Sequence, residues 1–164
     1  MIYWKNIHIF KLAHIALLFL SLIIICCAYY IDNILGFDGC ELCIYQRMPY
    51  YFTLFASAFC LIFGKKHLKL GLLLVLMAVS VGFIIAIYHV GVEHKFWGGL
   101  AKCSSSIDLH NVSNLEEYKE KLLYSKISDC SKPAFLIVGF SLAELNMLFS
   151  FALVLVLTYL IFKK

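Results

Sequence analysis

Four apolar stretches, each about as long as a bilayer is thick, leave this chain few ways to fold. They cover about residues 12–31, 45–63, 68–90 and 140–162. A helix needs about 20 residues to cross the hydrocarbon. In lipid, backbone polar groups must be satisfied within the segment, so each stretch reads as a helix and not as an open strand. The first, Leu12 to Ile31, carries no formal charge. The second is rich in aromatics with Arg47 near its start, and the third is nearly continuous Leu, Val and Ile after Lys69. Glu144 and Asn146 stand near the beginning of the fourth, where they fit an interfacial turn. The predicted fold class is an all-α, four-transmembrane-helix bundle: a single domain over 1–164 with loops at about 32–44 and 91–133.

Composition closes off the alternatives. Of 164 residues, 63% are hydrophobic and 15% charged, against about 45–50% and about 25% in soluble domains. A chain this short cannot bury the excess, so the excess faces lipid. A soluble globular enzyme, a disordered tail and a nucleic-acid binder are excluded, and a net charge of +4 could not coat a phosphate backbone. The first stretch is longer than a signal-peptide core, and Ala28-Tyr29-Tyr30 is a poor cleavage context. It reads as an uncleaved anchor.

Charge orients the bundle. Lys5, Lys11, Lys65, Lys66, Lys69, Lys163 and Lys164 flank the helices on one side with no acid among them. Opposite lie Asp32, Asp38 and Glu41, and a 91–133 loop whose six Lys are balanced by six acids. The positive-inside rule places both termini in the cytoplasm and both loops outside.

That orientation sorts the seven cysteines. Cys26, Cys27 and Cys60 fall inside predicted helices, where a thiol packs as a small hydrophobe. Cys40 and Cys43 lie in the first outer loop and Cys103 and Cys130 in the second, on the side where disulfides persist. Cys40-Glu41-Leu42-Cys43 has C-x-x-C spacing just before a helix, whose N-terminal field stabilises a thiolate. Arg47 follows Cys43 by one helical turn and brings a cation toward the same sulfur. The spacing alone also fits half a zinc site or a structural staple. Zinc would require four thiolates kept reduced in an oxidising compartment, so no metal is expected. His14 reads as a polar residue facing the bundle.

Cys40-x-Leu42-Cys43-x-x-Gln46-Arg47 resembles the signature of the disulfide-bond formation protein B family, as do Tyr88-His89-x-Gly91-x-Glu93 and Phe140-Ser141-Leu142. These are inner-membrane thiol oxidases that recharge a periplasmic dithiol oxidase and pass electrons to quinone. The resemblance implies a catalytic set of Cys40, Cys43, Cys103 and Cys130. Cys103 and Cys130 would exchange with a soluble periplasmic thioredoxin-fold partner, with Cys103 forming the mixed disulfide. Cys40 and Cys43 would be reoxidised by ubiquinone or menaquinone, with Cys43 facing the quinone and Arg47 beside it. His89 is the candidate ring contact to the quinone, with His94 nearby; Gln46 is a motif residue given no catalytic role. Gly98-Gly99-Leu100 stands where many members have proline, a local departure in loop shape.

Within the second loop, Ser113-Asn114-Leu115-Glu116 has capping-box spacing, and Leu115, Tyr118 and Leu122 recur at helical intervals. A short amphipathic helix is expected there. Two other readings compete: a four-helix scaffold or channel subunit with static disulfides, and a thiol enzyme like the quinone-epoxide reductases. The orientation is testable directly. After reduction, a membrane-impermeant thiol reagent should label Cys103 and Cys130 in intact spheroplasts; labelling confined to inverted vesicles would reverse the topology.

Overall fold

The computed structural model describes residues 2–36, 39–64, 67–99, 130–131, 133 and 136–163. Four long helices make up most of it: α1 (Ile2–Asn33), α2 (Glu41–Phe63), α3 (Leu68–Glu93) and α4 (Leu142–Phe162). Before α4 stands a small antiparallel hairpin, β1 (Leu136–Ile137) and β2 (Phe140–Ser141), paired Leu136 to Ser141 and Ile137 to Phe140. Its turn places both Val138 (φ 52°) and Gly139 (φ 89°) in the left-handed region, which closes two-residue hairpins well. Glycine adopts that conformation freely, whereas a β-branched valine is strained there. Cys103, Asp38, Lys65, Lys66 and the expected amphipathic helix near Ser113 lie outside the described residues.

Among the described residues, three segments are long and apolar enough to cross a membrane: Ile7–Asn33, Leu68–Glu93 and Leu142–Phe162. α2, at 23 residues, has the length. Its N-terminal part is polar, with Gln46, Arg47, Tyr50 and Thr53. The structure shows where that polarity goes. Gln46, Tyr50, Thr53 and Ser57 are buried, while Tyr51, Phe52, Phe55, Phe59 and Ile62 are exposed. α2 is therefore turned inside out relative to a helix of a soluble protein, with its polar stripe inward and its oily face outward.

α2 packs against α1 and α3, and α3 against α4. The central core joins Leu17 of α1, Leu72, Val75 and Val79 of α3, and Leu157 and Ile161 of α4. Small residues bring the backbones together, as is usual between helices in membranes. A Cβ on Gly82 would stand 2.9 Å from the Pro49 ring of α2, and one on Gly71 would meet Cys60 Sγ at 2.3 Å. At this level His14 is fully buried, its Nε2 3.0 Å from the Leu68 carbonyl and its Nδ1 3.3 Å from Ser57 Oγ. One imidazole thus stitches α1 to both α2 and α3.

The helix ends differ from the sequence expectation in instructive ways. The fourth helix begins at Leu142, because Phe140 and Ser141 belong to β2 and Ser141 is the N-cap. Ser141 Oγ accepts from the Glu144 N–H at 3.1 Å, and Glu144 accepts from the Ser141 N–H at 2.8 Å. Glu144 is therefore the third residue of the helix and closes a capping box with Ser141. α1 continues to Asn33 and α2 starts at Glu41, so only residues 34–40 separate them. Ser141 Oγ also donates to Glu93, tying α4 to the end of α3. Ser141→Ala should destabilise the protein by about 1–2 kcal/mol, the usual size of a lost cap. Thermal unfolding in detergent measures it, and Ser141→Thr should retain most of the stability.

Candidate functional site

The N-terminal end of α2 and the C-terminal end of α3 gather the chemistry. Cys40 occupies the N-cap of α2, where its Sγ accepts from the Cys43 N–H at 3.4 Å. A cap position that ordinarily takes Ser or Asp is thus filled by a sulfur, in the positive field of the helix N-terminus. The Sγ atoms of Cys40 and Cys43 are free and 3.1 Å apart. A disulfide needs about 2 Å, so a small approach suffices to join them. Buried His89 of α3 places Nε2 3.4 Å from Cys40 Sγ.

Either sulfur could hold the proton they share. The backbone N–H of Cys43 and the imidazole of His89 both face Cys40, so the proton rests on Cys43. Hydrogen bonding from Cys43 brings the Cys40 thiol down to about 4, with His89 adding to it and burial opposing it. Cys43 is pushed up by the same hydrogen bond and by burial. Arg47 acts on Cys43 as the sequence expects, favouring its anion, while the stronger hydrogen bonds converge on Cys40.

Cys130 is disulfide-bonded, to a partner outside the described residues, and buried. It packs in one cluster with Cys40, Leu42 and Val92, with Cys43 and Tyr88 at the edge. The first-loop pair and a cysteine of the second loop therefore meet. Cys26 and Cys27, by contrast, are exposed on α1, and Cys60 is buried on α2 well away from the pair. Among the described residues, Cys40, Cys43 and His89 form the group whose donor atoms lie within 4.8 Å of one another. A closed structural zinc site takes four donors, and two of these three are poised to bond to each other. The arrangement suits redox exchange.

Arg47 lies on the other side of Cys43. Its Nη2 donates to Asp32 Oδ1 of α1 at 2.9 Å, and its Nη1 pairs with Oδ2, a two-point contact that leaves both side chains about one-fifth exposed. Arg47, Cys43, Gln46, Tyr50 and Asn146 line a cleft of about 470 Å³ between α1, α2 and α4. The remaining walls are Leu20, Ile23, Ile24, Cys27, Ala28, Ile31, Leu142, Leu145 and Phe149. An oily cavity of this size with a few polar groups at one end suits a flat apolar ligand that carries hydrogen-bond acceptors.

His89 does not line this cleft. It sits behind the pair, against Cys40 and Gln46, while half-exposed His94 pairs with Glu144 at 2.9 Å. Sequence reasoning missed Asp32 as the partner of Arg47 and gave no role to Gln46 or Tyr50. For α2 a signal was available: Gln46, Tyr50, Thr53 and Ser57 recur at helical spacing within an otherwise apolar span.

Across residues 10–160 the chain matches the family model of disulfide bond formation protein DsbB. It belongs to the DsbB family. An uncharacterized protein of Rickettsia prowazekii (strain Madrid E) is 30% identical over 153 residues, 93% of this chain and 88% of that one. No solved structure matches it. Membership of the DsbB family, together with the apolar helices, makes this a multi-span membrane oxidoreductase of disulfide chemistry.

The low position of Cys40 has a measurable sign. A thiol depressed in the folded protein is ionised from the ordinary thiol range downward and loses its charge only as pH falls through about 4. In the reduced protein, thiolate ultraviolet absorbance should persist at full strength at neutral pH and vanish near pH 4. Cys40→Ser should abolish that signal, and a midpoint near the ordinary value of 9.0 would contradict the assignment.

Proposed function

We propose that the chain is a quinone-dependent thiol oxidase of the bacterial inner membrane. It would reoxidise a periplasmic thioredoxin-fold dithiol protein and hand the electrons to ubiquinone or menaquinone. All four helices would span the bilayer within one domain over 1–164, with both termini cytoplasmic and both loops periplasmic. The observation that carries this reading is the placement of the pair between two neighbours. Cys40 packs with disulfide-bonded Cys130, and Cys43 lines the cleft with Arg47.

The sulfur chemistry follows from that order. Cys26, Cys27, Cys40, Cys43 and Cys60 are free, so Cys103 is the partner we assign to Cys130. A thiolate of the reduced soluble protein attacks Cys103, forming a mixed disulfide and releasing Cys130 as thiolate. Cys130 then attacks Cys40 of the oxidised Cys40–Cys43 bond, and Cys43 leaves as thiolate. The second thiol of the soluble protein displaces Cys103, which recaptures Cys130 and frees Cys40. The soluble protein has lost two electrons and two protons, and Cys40 and Cys43 now hold them as thiols.

Re-forming the Cys40–Cys43 bond needs a two-electron acceptor. A quinone held in the cleft would supply that capacity, with room for two electrons and two protons. The residues present suit it: apolar walls from α1 and α4 for a prenyl tail, and the Arg47 guanidinium with the second amide N–H groups of Gln46 and Asn146 for the ring oxygens. Arg47 offers donors in a rigid fork where negative oxygen charge builds. Asp32 holds that fork in place and offsets part of its charge.

Electrostatics and thiol connectivity are separable by experiment. Arg47→Ala should slow quinone reduction about 10²-fold, the lower end for removing one charge stabiliser, because Arg47 is ion-paired and partly hydrated. Exchange between the reduced soluble partner and the Cys103–Cys130 pair should be nearly unchanged. Arg47→Lys should restore only part of the rate. Stopped-flow reduction of bound quinone and a separate partner-exchange assay give the two readouts. Absence of quinone reduction by the wild-type protein with a reduced partner would refute the proposed activity.

A further inference from the structure

Four hydrogen bonds run in series from the cleft to the Cys40 sulfur. The Tyr50 hydroxyl donates to Asn146 Oδ1. Asn146 Nδ2 donates to Gln46 Oε1 at 3.1 Å. With its oxygen so engaged, Gln46 turns Nε2 to His89 Nδ1, 3.0 Å away. An imidazole nitrogen that accepts a hydrogen bond carries no proton, so the neutral ring holds its proton on Nε2. Nε2 is the nitrogen 3.4 Å from Cys40 Sγ.

The surroundings of His89 break the tie between this polarity and its reverse. Glu93 Oε1 lies 3.8 Å from the same Nε2, while Oε2 of that carboxylate accepts from Ser141. Two acceptors, the Cys40 sulfur and the Glu93 carboxylate, therefore face Nε2. A reversed chain would aim a lone pair at both. The arrangement with a proton on Nε2 satisfies every member at once, which a buried polar network requires.

We propose that Gln46, Asn146 and Tyr50 are positioning residues: by a one-way chain of hydrogen bonds they fix His89 as its Nε2–H tautomer, so that the ring donates to the Cys40 sulfur. The proposal rests on the reading of Cys40 and Cys43 as the redox pair. It deepens that reading by assigning work to three residues that touch neither sulfur. Among the described residues, the charged and titratable groups around Cys40 include Glu41, Cys43 and Arg47 from α2 and Tyr88, His89 and Glu93 from α3, with Arg47 engaged by Asp32 of α1. His89 is the member of this set whose polarity the chain dictates. Because Gln46, Tyr50 and Asn146 also line the cleft, the same side chains face the cleft and set the proton behind the pair.

Two substitutions separate this role from simple packing. Asn146→Asp is nearly isosteric, but a carboxylate cannot donate. Gln46 should then turn its N–H toward position 146 and offer its oxygen to His89, moving the ring proton to Nδ1. Gln46→Met keeps the side-chain length and cuts the chain, leaving the ring a mixture of tautomers. The experiment uses the full-length reduced protein in micelles with isotope-labelled histidine. Nitrogen NMR reads the tautomer, and the His89 resonances are assigned by their loss in His89→Gln. The wild type should show Nε2–H and Asn146→Asp should show Nδ1–H. The thiolate titration of Cys40 should move up by about one pH unit in Asn146→Asp, and somewhat less in Gln46→Met, the size of one hydrogen bond. An Nδ1–H ring in the wild type, or an unchanged tautomer and titration in both variants, would overturn the proposal. Neither readout needs quinone or a soluble partner, so failure of the proposed activity and failure of the positioning role are distinguishable.

Discussion

Hydrocarbon offers no water to an unpaired polar group, and the arrangement of this molecule follows from that constraint. α2 carries more polar side chains than its length in lipid would tolerate if they faced outward. They face inward instead, and each one placed in the bundle finds a partner on another helix or on its own backbone. Thr53 returns its hydroxyl to the Pro49 carbonyl at 2.8 Å, Ser57 meets His14, and Gln46 bridges α3 and α4. Cys40 and Cys43 sit where this polar interior reaches the end of the bundle. The Cys40 thiolate is stabilised by fixed donors, not by solvent, so the donors must already be aimed.

The pair also stands at a border between two environments. Behind Cys40 lie His89, Glu93 and Cys130, a region of directed protons and a second sulfur bridge. In front of Cys43 lies an apolar cleft rimmed by Arg47. Three residues of sequence separate these settings, and the first turn of α2 turns each sulfur toward its own side. C-x-x-C spacing at a helix start thus divides labour between two thiols that look equivalent in the sequence.

Much of this was legible beforehand because membrane length and periodicity are strong constraints. The spans at 12–31, 68–90 and 140–162 lie within or nearly within α1, α3 and α4, whereas α2 begins at Glu41, so that Cys43, expected in the loop, lies inside its first turn. Arg47 was recognised as a nearby cation, yet Asp32 was not. Their contact spans the turn between two helices, and no local spacing encodes it. Gln46 and Asn146 were undervalued for a related reason. Their significance lies in hydrogen-bond direction across helices a hundred residues apart in sequence, which a single chain read linearly cannot supply. The cap of α4 went unread although its signal was present: Ser141 and Glu144 have the same spacing as Ser113 and Glu116.

The hairpin and cap before α4 set a tether. Ser141 is fastened to Glu93 and Glu144 at the top of the bundle, and β1 pairs back onto β2 from Leu136. Cys130 stands only six residues ahead of Leu136, a reach of at most about 20 Å even when fully stretched. Its sulfur is therefore confined to a small volume above Cys40. Confinement of that order acts as a high effective concentration, typically in the millimolar range for short linkers. A thiolate released at Cys130 would meet the Cys40 sulfur as an intramolecular neighbour, far more often than dilute thiols in the surrounding compartment could. On the proposed exchange order, the hairpin would act as a leash whose length helps decide which sulfur reacts next.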